Sequence, residues 1–247
     1  MFLDNSFPDQ AVVLCHGAAP DGGDGSPAAV LQRLNGVPFL GHVLGGLKRN
    51  TITDVVLLTH EDGAGIETEY GDGGPLGLRI RYVHDPEDEL GTGGTLRAAQ
   101  ELLRPSFYLV DAHRFPVVDY ESLGTIFVQT GLPILMSVWN TGGASDADCL
   151  VDTDAEGRSV VRRFHPEHRG GMQHARYGAS VFRDGIIERL PPGYCALDGI
   201  LQGDALRRRI GAYEVDHRYY DVCTGQGLRD LRSGVVSGAV PSYIHLL

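Results

Sequence analysis

Asp111-Ala-His113 closes the apolar run Phe107-Tyr-Leu-Val110. Residues i and i+2 at a strand end point to the same side, so this carboxylate and imidazole could share one divalent ion. A mixed pair of this kind suits Mn²⁺ or another transition metal better than Mg²⁺. The competing reading is a histidine decorating a solvated loop. A second signal is Leu90-Gly-Thr-Gly-Gly-Thr-Leu-Arg97. Its glycines let backbone N–H groups approach a ligand and aim a helix N-terminus at it, although a plain turn before a helix uses the same residues. His16, His165, His168 and His174 read as scattered surface histidines, because no H-x-x-x-H or H-x-H spacing joins them. Arg207-Arg-Arg209 reads as a solvated helix face. Cys15, Cys149, Cys195 and Cys223 form no C-x-x-C pair and favour buried, reduced thiols.

Strands and helices must carry these groups. Ala11 to Leu14, Val55 to Leu58, Arg79 to Val83 and Phe107 to Val110 have strand length. Helical patterns between them, from Phe39 to Leu47 behind Pro38 and from Thr95 to Leu103, imply a mixed, mostly parallel sheet with its ligand site at the carboxyl ends of the strands. Cys149 to Asp152 and Ser159 to Phe164 read as a hairpin, Tyr177 to Phe182 as a strand and Gly185 to Leu190 as a short helix. With 247 residues, 42% hydrophobic and 21% charged, the chain is expected to fold as one α/β domain. No apolar run reaches the ~18 residues of a bilayer span, and the opening Met-Phe-Leu-Asp-Asn-Ser lacks the regions of a secretory leader, which together predict a cytoplasmic protein without a membrane partner. A net charge of −11 argues against nucleic acid as a partner. Twenty of the 21 basic residues are arginine, so chemistry that needs lysine has only Lys48 to use.

Several segments in chain order resemble the sugar-1-phosphate nucleotidyltransferases, and among them the heptose- and mannose-1-phosphate guanylyltransferase type. Asn35-Gly-Val-Pro-Phe-Leu40 is similar to that family's entry to its first helix, and Tyr70-Gly-Asp-Gly through Val83 to the stretch that follows. Leu90 to Leu96 resembles "L-G-T-(A/G)-G-A-L", Phe107 to Asp119 resembles "F-L-V-L-N-G-D…D", and Tyr220 to Gly225 resembles the late "(F/W)-x-D-(I/T)-G-T". The resemblance implies a Rossmann-like α/β/α sandwich related to nucleotide-sugar-dependent glycosyltransferases, with a nucleotide-binding half over 1–130 and a sugar-phosphate-binding half over 131–247. It implies attack of a sugar 1-phosphate on a nucleoside triphosphate with loss of pyrophosphate. Nucleotide binding is then expected at Leu14, His16, Gly17, Asp85, Gly91, Thr92, Gly93 and Gly94. Sugar-phosphate binding is expected at Arg114, Glu167, Arg176, Tyr177 and Gly178. Catalysis is expected at Asp111, His113 and Asp221, holding a divalent metal (Mg or Mn). The partners expected are a nucleotide with a sugar phosphate, or a nucleotide-sugar, and a homo-oligomer is left open.

The family's cations are where this sequence departs. Its first loop carries an Arg and a Lys, whereas Cys15 to Ala29 carries neither and adds Asp21 and Asp24. The later lysine of "E-K-P" falls at Phe164-His-Pro-Glu-His168, and His113 stands where the aspartate of "N-G-D" is expected. Arg114 and Arg176 are candidates to supply the displaced charge. Three readings stand: a nucleotidyltransferase with a much altered site, a non-catalytic relative that binds a nucleotide-sugar or a sister enzyme, and a metal-dependent glycosyltransferase.

Overall fold

The computed structural model describes residues 6–15, 29–60, 63–85, 89–115, 117–144, 146–167 and 170–237. The chain opens with β1 (Gln10–Cys15) and a small hairpin of β2 (Arg33–Leu34) and β3 (Val37–Pro38). Asn35 and Gly36 turn this hairpin with φ of 52° and 86°, the pair of positive angles that a two-residue hairpin turn demands. Then come α1 (Phe39–Arg49), β4 (Asp54–Thr59), α2 (Gly63–Tyr70), β5 (Arg79–His84), α3 (Gly91–Ala98), β6 (Ser106–Asp111), β7 (Arg114–Phe115) and α4 (Tyr120–Thr130). The second half adds β8 (Ile134–Asn140), β9 (Cys149–Thr153), β10 (Ser159–Phe164), β11 (His174–Arg183), α5 (Leu197–Leu206), β12 (Ile210–Val215), β13 (Tyr220–Asp221) and α6 (Gly225–Ser237).

Nine strands form one mixed sheet in the order β5-β4-β1-β6-β11-β8-β12-β10-β9. From β5 to β6 every pairing is parallel. Beyond β6 the pairings are antiparallel except β8 with β12. Side chains alternate across the sheet, so each strand feeds two cores. Ala11, Val13, Tyr108, Val110, Tyr177 and Ala179 pack toward α1, α2, α4 and α6. Val12, Phe107, Leu109, Met136 and Phe182 pack toward α3 and α5. Every residue of β4 is buried, as expected of a parallel strand covered on both faces.

Two expected elements differ in detail. The helix predicted over Thr95 to Leu103 starts at Gly91 and ends at Ala98, followed by a 3-10 turn at Gln100–Leu102. Arg207 to Arg209 are exposed but lie in the turn after α5, with Arg208 at φ 54°.

Candidate active site

Strands β1, β4 and β6 end together at Cys15, Thr59 and Asp111. Strand β11 runs antiparallel to β6, so its first residues return to the same end of the sheet. On strand periodicity Arg176 and Gly178 face α5, and with Leu14 and Asp111 they line one cavity. Residues expected to bind nucleotide and residues expected to bind sugar phosphate thus share a wall.

Asp111 is the hub. Its Oδ1 accepts hydrogen bonds from the backbone N–H of His113 at 3.0 Å and from His113 Nδ1 at 3.2 Å, and its Oδ2 lies 3.7 Å from Arg114 Nε. Burial raises the carboxyl pKa, but the His113 hydrogen bond and the Arg114 charge outweigh it and hold Asp111 well below the usual carboxylate range. A depressed carboxylate contributes stability above the ordinary value near ~3.9 and loses that contribution as pH falls from there toward its folded value. The Asp111→Asn variant is therefore expected to be less stable than the native chain at pH 7, with the gap beginning to narrow below about pH 4. Thermal midpoints from pH 7 to pH 3 measure this, and a gap that stays constant across the range would refute it.

Arg114 stacks on Tyr219, its guanidinium carbon 4.6 Å from the ring centroid, and donates to the Arg176 carbonyl. Gly178, at φ 102°, makes room for it: a Cβ there would stand 2.8 Å from Arg114 Cβ. Arg176 donates to Asp198 Oδ1 at 2.8 Å, its Nε lies 3.9 Å from Asp148 Oδ2, and its own backbone N–H donates to Asp148 Oδ1. Burial lowers the Arg176 pKa, but Asp198, Asp148 and Asp111 raise it further, so the guanidinium stays charged. Two arginines thus meet carboxylates at every turn.

Strand β13 brings Asp221 opposite Arg114 of β7, and the His113 carbonyl accepts from Val222 N–H at 2.9 Å. Asp111, His113 and Asp221 therefore share a corner. They do not form a ligand group: among the described residues no three His, Cys, Asp or Glu side chains are placed to hold a metal ion. Asp111 is occupied by His113 and Arg114, while Asp221 Oδ1 accepts from Cys223 N–H. His113 is 8% exposed, and its Nε2 has no hydrogen-bond partner.

The glycine cluster packs against protein. Gly93 and Gly94 N–H both donate to the Cys195 carbonyl, at 2.7 and 3.2 Å, and Thr92 Oγ1 accepts from Leu197 N–H at 3.0 Å. A Cβ on Gly91 would meet Tyr194 and Cys195, so these glycines serve the approach of the segment before α5. Asp85 is buried, and its carboxylate accepts from Glu89 N–H, Leu90 N–H and the Thr95 hydroxyl, closing the turn into α3. Tyr177 sits in the core on the opposite face of β11 from Arg176, with its hydroxyl accepting from Val117 N–H and donating to the Arg218 carbonyl. Glu167 is exposed on the turn after β10. His16, Gly17, Asp21, Asp24 and His168 lie outside the described residues. His174 is buried at the start of β11, with Nε2 3.7 Å from Glu214. Sequence reasoning missed Asp148 and Asp198, whose partnership with Arg176 crosses 28 and 22 residues and leaves no local spacing signal.

No protein-family model matches the chain. Mannose-1-phosphate guanylyltransferase of Mycobacterium tuberculosis is 30% identical over 159 residues, covering 64% of this chain but 44% of that enzyme's length. N-acetylmuramate alpha-1-phosphate uridylyltransferase of Neisseria meningitidis is 26% identical over 216 residues, covering 85% of this chain and 90% of that one. The structure of HddC from Yersinia pseudotuberculosis shares the fold at a TM-score of 0.74 and 16% identity, covering 92% of this chain and 99% of HddC, which has also been solved with GMP-PN. Among the described residues no helix is long and apolar enough to cross a membrane. With a three-layer fold and its cavity at the strand ends, the chain is similar in sequence to two sugar-1-phosphate nucleotidyltransferases and shares the fold of HddC.

Proposed function

We propose that this chain transfers a nucleotidyl group from a nucleoside triphosphate to a sugar 1-phosphate through a much altered site. The observation that carries the reading is the meeting of Arg114 and Arg176 beside Asp111 where β6, β7 and β11 converge. In the reaction an oxygen of the sugar phosphate attacks the α-phosphorus, a P–O bond forms, and the bond to pyrophosphate breaks. The protein's part is to position the groups and neutralise charge. Arg176 on the cavity wall would receive the sugar phosphate. Arg114, fixed between Asp111 and Tyr219, would face charge that develops on the transferred phosphoryl group. The M. tuberculosis relative makes a guanosine triphosphate with mannose 1-phosphate the first pair to assay, and the N. meningitidis relative makes the uridine series the second.

A second reading, binding without turnover, is favoured by the charge inventory. Arg114 is paired with Asp111, and Arg176 with Asp198 and Asp148, so phosphate must compete for both cations. Asp198→Asn should free Arg176 and strengthen sugar-phosphate binding several-fold, since a hydrogen bond to a charged group contributes about 1.5–3 kcal/mol. Calorimetry with mannose 1-phosphate tests this, and weaker binding would show that Asp198 orients Arg176 instead of competing for it. Pyrophosphate release with each triphosphate, in Mg²⁺ and in Mn²⁺, separates the two readings: slow product formation supports the first, and binding without product supports the second.

A further inference from the structure

Arg114 and Arg176 account for phosphate and leave the apolar floor beside them unused. On the face of the sheet turned toward α5, the register sets Leu109 of β6, Ser180 of β11 and Met136 of β8 in one row. Gly178 precedes Ser180 on the same face. Ser180, small between Leu109 and Met136, leaves a gap that α5 roofs without filling. The gap is a cavity of about 50 Å³ walled by Leu14, Leu109, Met136, Phe182, Leu197 and Leu201. Asp111 and Arg176 line it too, so it opens off the anion site and is not a separate void in the core. Ser180 also lines it, is 7% exposed, and makes no side-chain hydrogen bond among the described residues.

Resting on the proposed nucleotidyl-transfer reading, we infer that this cavity is a specificity subsite for an acylamino substituent of the sugar 1-phosphate. A water needs about 10–15 Å³ of such space, so the volume suits a group of two to four heavy atoms and excludes a nucleobase. The walls favour a methyl group, whereas a bare hydroxyl could pair with Ser180 but would leave the apolar wall of Leu109, Met136 and Leu201 unfilled. The Ser180 hydroxyl supplies the donor that an amide carbonyl requires. An acetamido group meets both demands: its methyl against Leu109, Met136 and Leu201, its carbonyl accepting from Ser180. A deoxy-sugar methyl would satisfy the walls and leave the hydroxyl unpaired.

The test is calorimetric titration of the full chain with N-acetylglucosamine 1-phosphate, glucose 1-phosphate and fucose 1-phosphate. The acetamido sugar is expected to bind about tenfold or more tighter than the other two, the discrimination available to a small group in a matched pocket. Ser180→Ala should cut that ratio several-fold. Leu201→Phe, checked for folding by its melting temperature, should bring it close to one by filling the cavity. Equal affinities, or preference for the deoxy sugar, would overturn the acylamino assignment alone and leave nucleotidyl transfer standing. No binding by any of the three while mannose 1-phosphate binds would overturn this inference alone, and no binding by any of the four would overturn the nucleotidyl-transfer reading with it.

Discussion

Arg176→Met is expected to weaken sugar 1-phosphate binding about ten- to a hundred-fold, because it removes the charge-assisted contact to phosphate proposed for this guanidinium, of a kind worth about 1.5–3 kcal/mol. The methionine keeps the stem against the ring of Phe164, over which the guanidinium carbon sits at 5.0 Å, so apolar packing is largely preserved. What changes is charge. Asp198 and Asp148 lose their cation, and since Asp148 is only 6% exposed the variant should also melt at a lower temperature. Arg176→Lys separates these effects. It restores a cation and much of the stability, but lacks the planar fork, so binding should recover only in part. Calorimetry and melting curves on the two variants give the split, and unchanged sugar-phosphate affinity in Arg176→Met would remove this residue from the site.

Gly93→Val should destabilise the chain by roughly 1–3 kcal/mol, the usual penalty for overpacking a filled site. A Cβ at this position would stand 2.9 Å from the Cys195 carbonyl oxygen, 3.0 Å from its sulfur and 3.2 Å from Leu190 Cδ2. The backbone oxygen cannot retreat without breaking the hydrogen bonds that it accepts from Gly93 and Gly94. Any loss of nucleotide binding would then follow from displacement of the segment before α5 and not from a side chain in the nucleotide's space. Chemical denaturation measures the effect, and a variant of native stability that binds no nucleotide would return the glycines to the role of a pocket floor.

The first half of the fold was legible because central parallel strands, buried on both faces, leave continuous apolar runs such as Val55 to Leu58. The β9–β10 hairpin was legible from its turn, where the Asp154 carboxylate accepts from Glu156 and Arg158 N–H. Strand β12 was missed: Gly211 and Glu214 break its pattern, and only pairing with β8 makes Ile210-Gly-Ala-Tyr-Glu-Val a strand. Helix α4 carried readable punctuation in its Asp119 cap and in Gly131 at φ 63°. At the site, Arg114 and Arg176 could be singled out by position. Tyr177 could have been set aside by the two-residue period that separates it from Arg176 and Gly178. Glycine spacing alone cannot tell a ligand from a neighbouring carbonyl, which is why the Leu90 to Arg97 segment suggested an open pocket where Cys195 sits.

The central claim is that a nucleotide and a sugar 1-phosphate react at the corner held by Asp111, Arg114 and Arg176. The most direct measurement is nucleotide-sugar formation, followed by mass spectrometry alongside pyrophosphate release, for the native chain and Arg176→Met. Because the site's cations are already paired with carboxylates, product should form well below the ordinary enzymatic rate of ~10 s⁻¹ and fall further in Arg176→Met. Turnover at an ordinary rate that Arg176→Met leaves untouched would contradict the account.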